Sequence, residues 1–213
     1  MKPFLKNNKT LKIAEIIALF VGTPLILFLQ ISKTYKIIYL IIGVVYISLI
    51  SIFIEKFKKK SNDKNLKQKT LKVVGVNLLI IIFLTTTVLY FQDKDALFNV
   101  ILNKPKLWLK FSIIYILFSV IPQELIYRTF FLKRYHNIFK NEFLFIFINA
   151  ILFSFAHIWF QSWIVLGFTF IGGILFIKTY LKTNSLWLVL LEHTVYGIWL
   201  YTVGYGKLFL FPV

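Results

Sequence analysis

Seven apolar stretches, each about as long as a bilayer is thick, constrain this chain more than any other feature. They lie near residues 12–31, 37–55, 73–91, 108–132, 143–160, 163–180 and 185–204. A helix needs roughly 20 mostly apolar residues to cross the hydrocarbon core. Only helices and closed barrels satisfy every backbone polar group there, and runs of this length read as helices. The expected fold is therefore all-α, a polytopic transmembrane bundle of about seven spans. A soluble fold is excluded by composition: 59% of residues are hydrophobic and 15% charged, against roughly 25% charged in a soluble domain. About a third of the surface of a soluble fold this size would still face water, and these residues would have to cover it.

The net charge of +17 does not point to nucleic acid, because the lysines sit between the apolar runs and form no basic face or arm. In such positions they set topology and meet anionic lipid. With the N-terminus inside, 17 of the 25 Lys and Arg fall on the cytoplasmic side, 7 outside, and Arg128 within a span. The positive-inside rule then favours N-in and C-out. Residues 13–31 exceed a signal-peptide core and lack a small-x-small site after them, so they read as an uncleaved first span. Residues 56–72 read as a flexible, basic cytoplasmic loop. Trp108, Trp159, Trp163 and Trp187 fall near span ends, as interfacial anchors do. Composition rich in lysine, isoleucine and asparagine suits a bacterial inner membrane. Without cysteine there is no disulfide or thiolate chemistry.

Charges inside the spans carry the functional signal. An ionisable side chain at mid-bilayer costs roughly 2.5–3.5 kcal/mol. Six of the eight acidic residues lie at span ends or in loops: Glu15, Glu55, Asp63, Asp93, Asp95 and Glu142. Glu124, Glu192, Arg128, His157 and His193 lie within spans four, five and seven, and are expected to face a protected interior. In IPQELIYRTFF, Glu124 and Arg128 share a helix face as a candidate ion pair. Gln123 and Tyr127 form a second polar pair, and Pro122 is expected to kink the span before Gln123. Helical rise puts Glu124 and His193 each roughly 14 Å from the cytoplasmic ends of their spans and His157 nearer 25 Å. Tilting of span five, or residues 141–147 lying along the interface, would reconcile the two depths. Gly167, Gly172 and Gly173 read as close-packing positions.

Three segments, QELIYR (123–128), FSFAH (153–157) and HTVYG (193–197), resemble in order and spacing the signatures of the CPBP family of intramembrane proteases, the CAAX-protease and bacteriocin-processing group. That family is recognised by Glu-Glu-x-x-x-Arg, Phe-x-x-x-His and His-x-x-x-Asn or Asp on successive membrane helices. KTNSLW before the last segment is similar to the family's lead-in. The resemblance covers about residues 107–205. It implies roles for Glu124, Arg128, His157 and His193. This chain departs from the pattern at Gln123, where the family has a glutamate thought to activate water. It departs again at Gly197, where the family has an Asn or Asp thought to hold the oxyanion. By this reading residues 1–106 are N-terminal transmembrane helices, 107–205 a protease-like core and 206–213 a tail.

Peptide hydrolysis needs a base, an oxyanion donor and a proton path to the leaving amine. Glutamine takes no proton, so the carboxylates left are Glu124 and, beside His193, Glu192. The catalytic candidates are Glu124, His157, His193 and Glu192, supported by Gln123, Arg128, Tyr127 and Gly197. Two histidines and a glutamate are also a ligand set for zinc, but no HExxH spacing is present and no cofactor is expected. The expected activity is endopeptidase cleavage of a membrane-embedded or lipid-anchored protein or peptide, with membrane lipids as the other partner and no nucleic acid. The alternative is a catalytically silent relative acting as a membrane peptide-binding, immunity or assembly factor. A small carrier using the buried charges as a relay lacks the expected repeat of broken helices.

Overall fold

The computed structural model describes residues 8–53 and 63–213. The basic N-terminus up to residue 7 and residues 54–62, which take in the end of the expected second span and the start of the expected loop, lie outside the described residues. Among those described the chain is helical with no strand. Seven helices are long and apolar enough to cross a bilayer: α1 (Lys9–Phe28), α2 (Lys33–Phe53), α3 (Lys64–Gln92), α4 (Pro105–Ile138), α5 (Glu142–Phe160), α6 (Trp163–Thr183) and α7 (Leu186–Val203). Their outer faces carry large apolar side chains, with Phe91 81% and Phe118 78% exposed. Such faces suit hydrocarbon and not water. The chain is an integral membrane protein.

Two boundaries differ most from the sequence reading. Residues 64–72, expected in the loop, form the first turns of α3. The Asp63 side chain caps that helix by accepting the Leu66 N–H at 3.0 Å, which satisfies a backbone donor that would otherwise be orphaned. The fourth span runs six residues beyond its expected end, so Arg134 lies in a helix and not in a loop.

Proline shapes two of the helices. α1 contains a π-helical stretch, Ile17–Gly22, just before Pro24. α4 contains two, Ile116–Val120 and Leu125–Phe130, on either side of Pro122. Proline has no N–H for the carbonyl four residues earlier. Those carbonyls, Phe20 and Phe118, both lie inside the π stretches, where wider i→i+5 bonding replaces the lost contact. The kink expected at Pro122 takes this form.

The chain packs as two compact units. One comprises residues up to 59 with Leu125–Lys178, and the other Lys60–Glu124 with Thr179–Val213. In the first, Phe20 is buried and meets Tyr127, Phe131 and Tyr135 edge-on at 5.2, 5.0 and 6.0 Å. A Cβ on Gly173 would stand 3.0 Å from the Ala150 Cα, so this glycine lets α5 and α6 touch. Gly172 faces only Phe176 of its own helix, and nothing lies within 4 Å of a Cβ on Gly167. The packing role expected for Gly167 is therefore absent.

In the second unit, α3 and α7 are joined by polar side chains. The Trp199 indole donates to the Thr85 hydroxyl at 3.0 Å, and the Tyr205 hydroxyl to the Thr85 carbonyl at 3.2 Å. Trp108 is tied to Thr202 at 2.9 Å. Trp163, 88% exposed, and Trp187, 66% exposed, stand outward as anchors should.

Candidate active site

In the second unit, α4 and α7 bring Glu124 and His193 into contact. Nδ1 of His193 lies 2.8 Å from Oε1 of Glu124. Glu124 is fully buried and His193 nearly so. A carboxylate accepts, so Nδ1–H donates. This is the arrangement by which an acidic partner fixes the tautomer and orientation of an imidazole. The Glu124 carboxylate lies between the two π stretches of α4, and π-turns of this kind recur at functional sites.

Glu192 is the neighbour of His193 in sequence, but successive side chains on a helix point about 100° apart. Its Oε1 accepts from the Tyr196 hydroxyl at 3.2 Å, and that hydroxyl also lies 3.1 Å from the Val74 carbonyl of α3. Gln123 donates its amide to the Ser119 hydroxyl at 2.9 Å. Gly197 lies one turn beyond His193, and the Tyr115 phenol occupies the space a side chain there would take.

The first unit holds the other motif residues. Arg128 is fully buried and donates to Oδ1 of Asn149 at 2.9 Å. Its guanidinium lies 4.6 Å from the Phe153 ring centroid and 5.6 Å from that of Phe176. Asn149 in turn donates to the Tyr127 carbonyl at 2.9 Å, and the Tyr127 ring packs edge-on against Phe153. His157 sits past the last α-helical residue of α5, Phe155, at the start of a 3-10 turn. Its Nδ1 lies 2.8 Å from the Phe153 carbonyl, which can only accept, so Nδ1–H donates. Phe153 thus holds two motif residues, stacking on Arg128 and anchoring His157.

Two groups were missed by the sequence reading. Asn149 is fully buried and is a polar residue in the apolar run EFLFIFINAILFSF; the cost argument applied to ionisable residues would have found it. Glu15 and Arg134, read as span-end and loop charges, are a buried fork. Arg134 Nε and Nη2 donate to the two Glu15 oxygens at 2.8 and 2.7 Å, and the Tyr46 hydroxyl also donates to Glu15. The fixed span length used for the sequence hid this pair. Within neither unit, among the described residues, do three His, Asp or Glu side chains gather as a metal site requires.

Residues 105–199 match the family model of the Rce1-like type II CAAX prenyl endopeptidases. Over these residues the chain is similar to that family. No curated protein and no solved structure is similar enough to the chain to match it. The Rce1-like region starts at the first residue of α4 and ends inside α7, so it agrees with the stretch the three motifs marked out as CPBP-like. It contains Gln123, Glu124, Tyr127, Arg128, His157, Glu192, His193 and Gly197, and it excludes Glu15. The matched family is one of membrane proteases, in keeping with the apolar helices of this chain.

Proposed function

We propose that the chain is an intramembrane endopeptidase that uses Glu124 and His193 as one proton-handling pair. It acts on a lipid-anchored or membrane-embedded protein segment near the cytoplasmic leaflet of a bacterial inner membrane, with its N-terminus in the cytoplasm. The observation that carries this reading is the 2.8 Å contact between a fully buried carboxylate and an imidazole, a ring that can both carry and release a proton. Nε2 of His193 takes a proton from water as the water oxygen bonds to the scissile carbonyl carbon. Glu124 stabilises the imidazolium that forms. When the tetrahedral species collapses and the C–N bond breaks, Nε2 returns the proton to the leaving amine. His157, assigned to the reaction by the resemblance, has its Nδ1 held by the Phe153 carbonyl. Gln123, unable to take a proton, orients water at most. Glu192 is engaged with Tyr196 and is given no step.

The test is cleavage of a fluorogenic prenylated CAAX-type peptide, or a transmembrane peptide, by the purified protein in liposomes. Glu124→Ala and His193→Ala should each lose about 10²–10⁴-fold in kcat, the usual worth of a positioned acid–base group, while Glu192→Ala retains cleavage. Full activity in the first two variants would remove the pair from the mechanism. A second reading, a silent relative that binds a membrane peptide, is favoured by Gln123 at a catalytic position. It requires that wild-type protein capture such a peptide without cleaving it.

A further inference from the structure

Residue 197 is glycine where a side chain would project from α7 one turn beyond His193. A Cβ built there would run into the hydroxyl oxygen of Tyr115 and stand 2.5 Å from its Cζ and 2.7 Å from its Cε1. The glycine is therefore the opening through which a phenol from α4 reaches the backbone of α7. The ring is held on two sides. It meets the His193 imidazole edge-on, with centroids 6.0 Å apart, and Phe211 at 5.7 Å. The Glu124 carboxylate lies within electrostatic reach of the phenol. Tyr115, Glu124, His193 and Gly197 all belong to one compact unit, so the grouping is a property of that unit alone.

We infer that Tyr115 is a catalytic residue: its hydroxyl donates the hydrogen bond that stabilises the oxyanion formed when water, activated at His193, adds to the substrate carbonyl. This rests on the endopeptidase reading above. A phenol is well suited to the task, being an O–H donor that stays protonated at neutral pH. Its rigid ring fixes the donor in place before the reaction, which is the condition for strong transition-state stabilisation. Gly197 is then the partner of Tyr115 and not a lost function: the side chain that would otherwise occupy this place on α7 is replaced by one delivered from α4. The step transfers no proton from Tyr115. The charge that builds on the carbonyl oxygen is met by the O–H dipole and released when the C–N bond breaks.

Two variants test this in the liposome cleavage assay. Tyr115→Phe keeps the ring between His193 and Phe211 and removes only the hydroxyl. It should lower kcat about 10²–10³-fold, the loss typical of one oxyanion donor, with KM and thermal unfolding unchanged. Gly197→Ala places a methyl group against the hydroxyl and should lower kcat in the same way. A purely packing role for Tyr115 would leave Tyr115→Phe at wild-type kcat, and that result would overturn the inference while leaving the Glu124–His193 mechanism standing. Absence of cleavage by the wild-type protein would overturn both.

Discussion

Each compact unit buries a glutamate, but the partner differs, and the difference separates a structural lock from a reactive pair. Glu15 is clamped by both arms of the Arg134 guanidinium, with the Tyr46 hydroxyl added. A guanidinium does not give up its proton in a protein, so this carboxylate is neutralised for good and can only hold α1, α2 and α4 in register. Glu124 is met by an imidazole, a ring that can both take up and give back a proton. One pair is fixed and the other can cycle. The chain's two arginines follow the same division from its many lysines: both are fully buried, where a planar, bidentate donor outperforms a point charge.

Breaking the lock should have the largest effect on stability. Arg134→Met leaves Glu15 buried without its counter-charge and should cost about 3–5 kcal/mol, read as a fall in the thermal unfolding midpoint in detergent. Adding Glu15→Leu should recover most of that loss, because replacing both partners of a buried pair is far cheaper than removing one. If the double variant is no better than the single, the fork is not the unit that matters.

A smaller cost is expected at the Arg128–Asn149 contact, where the acceptor is neutral. Asn149→Leu removes the acceptor for the guanidinium and the donor to the Tyr127 carbonyl. It should destabilise by about 1–3 kcal/mol, the desolvation cost of stranded polar groups. An unchanged unfolding midpoint would show that Asn149 does not anchor this cluster. The smallest effect distinguishes two glycines. Gly173→Ala should cost about 1 kcal/mol or more by pressing on Ala150, whereas Gly75→Ala, with nothing within 4 Å of the new methyl, should leave the midpoint unchanged or slightly raised. Equal effects would contradict the close α5–α6 approach.

The seven helices were legible because bilayer thickness fixes how long an apolar run must be, and each run carried that signal alone. The capped, lysine-rich start of α3 was not, since hydropathy is silent where a helix continues into water. Glu124 and His193 stood out as charges that hydrocarbon penalises, but their contact depends on how π turns around Pro122 rotate α4, which α-helical counting cannot give. That Glu192 points elsewhere than His193 was legible, since neighbouring side chains on a regular α-helix such as α7 stand about 100° apart. His157, counted as part of a continuous span, instead follows the end of the α-helical part of α5. Tyr115 gave no signal in a chain with 11 tyrosines; its place is visible only from the space that Gly197 leaves.

Whether Glu124 and His193 act as a single device is tested most directly by a double-mutant cycle on kcat, using Glu124→Gln, His193→Ala and the combination. Groups that work as a unit are strongly non-additive, so the double variant should be no slower than the worse single. Losses that multiply across the two sites would show independent contributions and contradict the account.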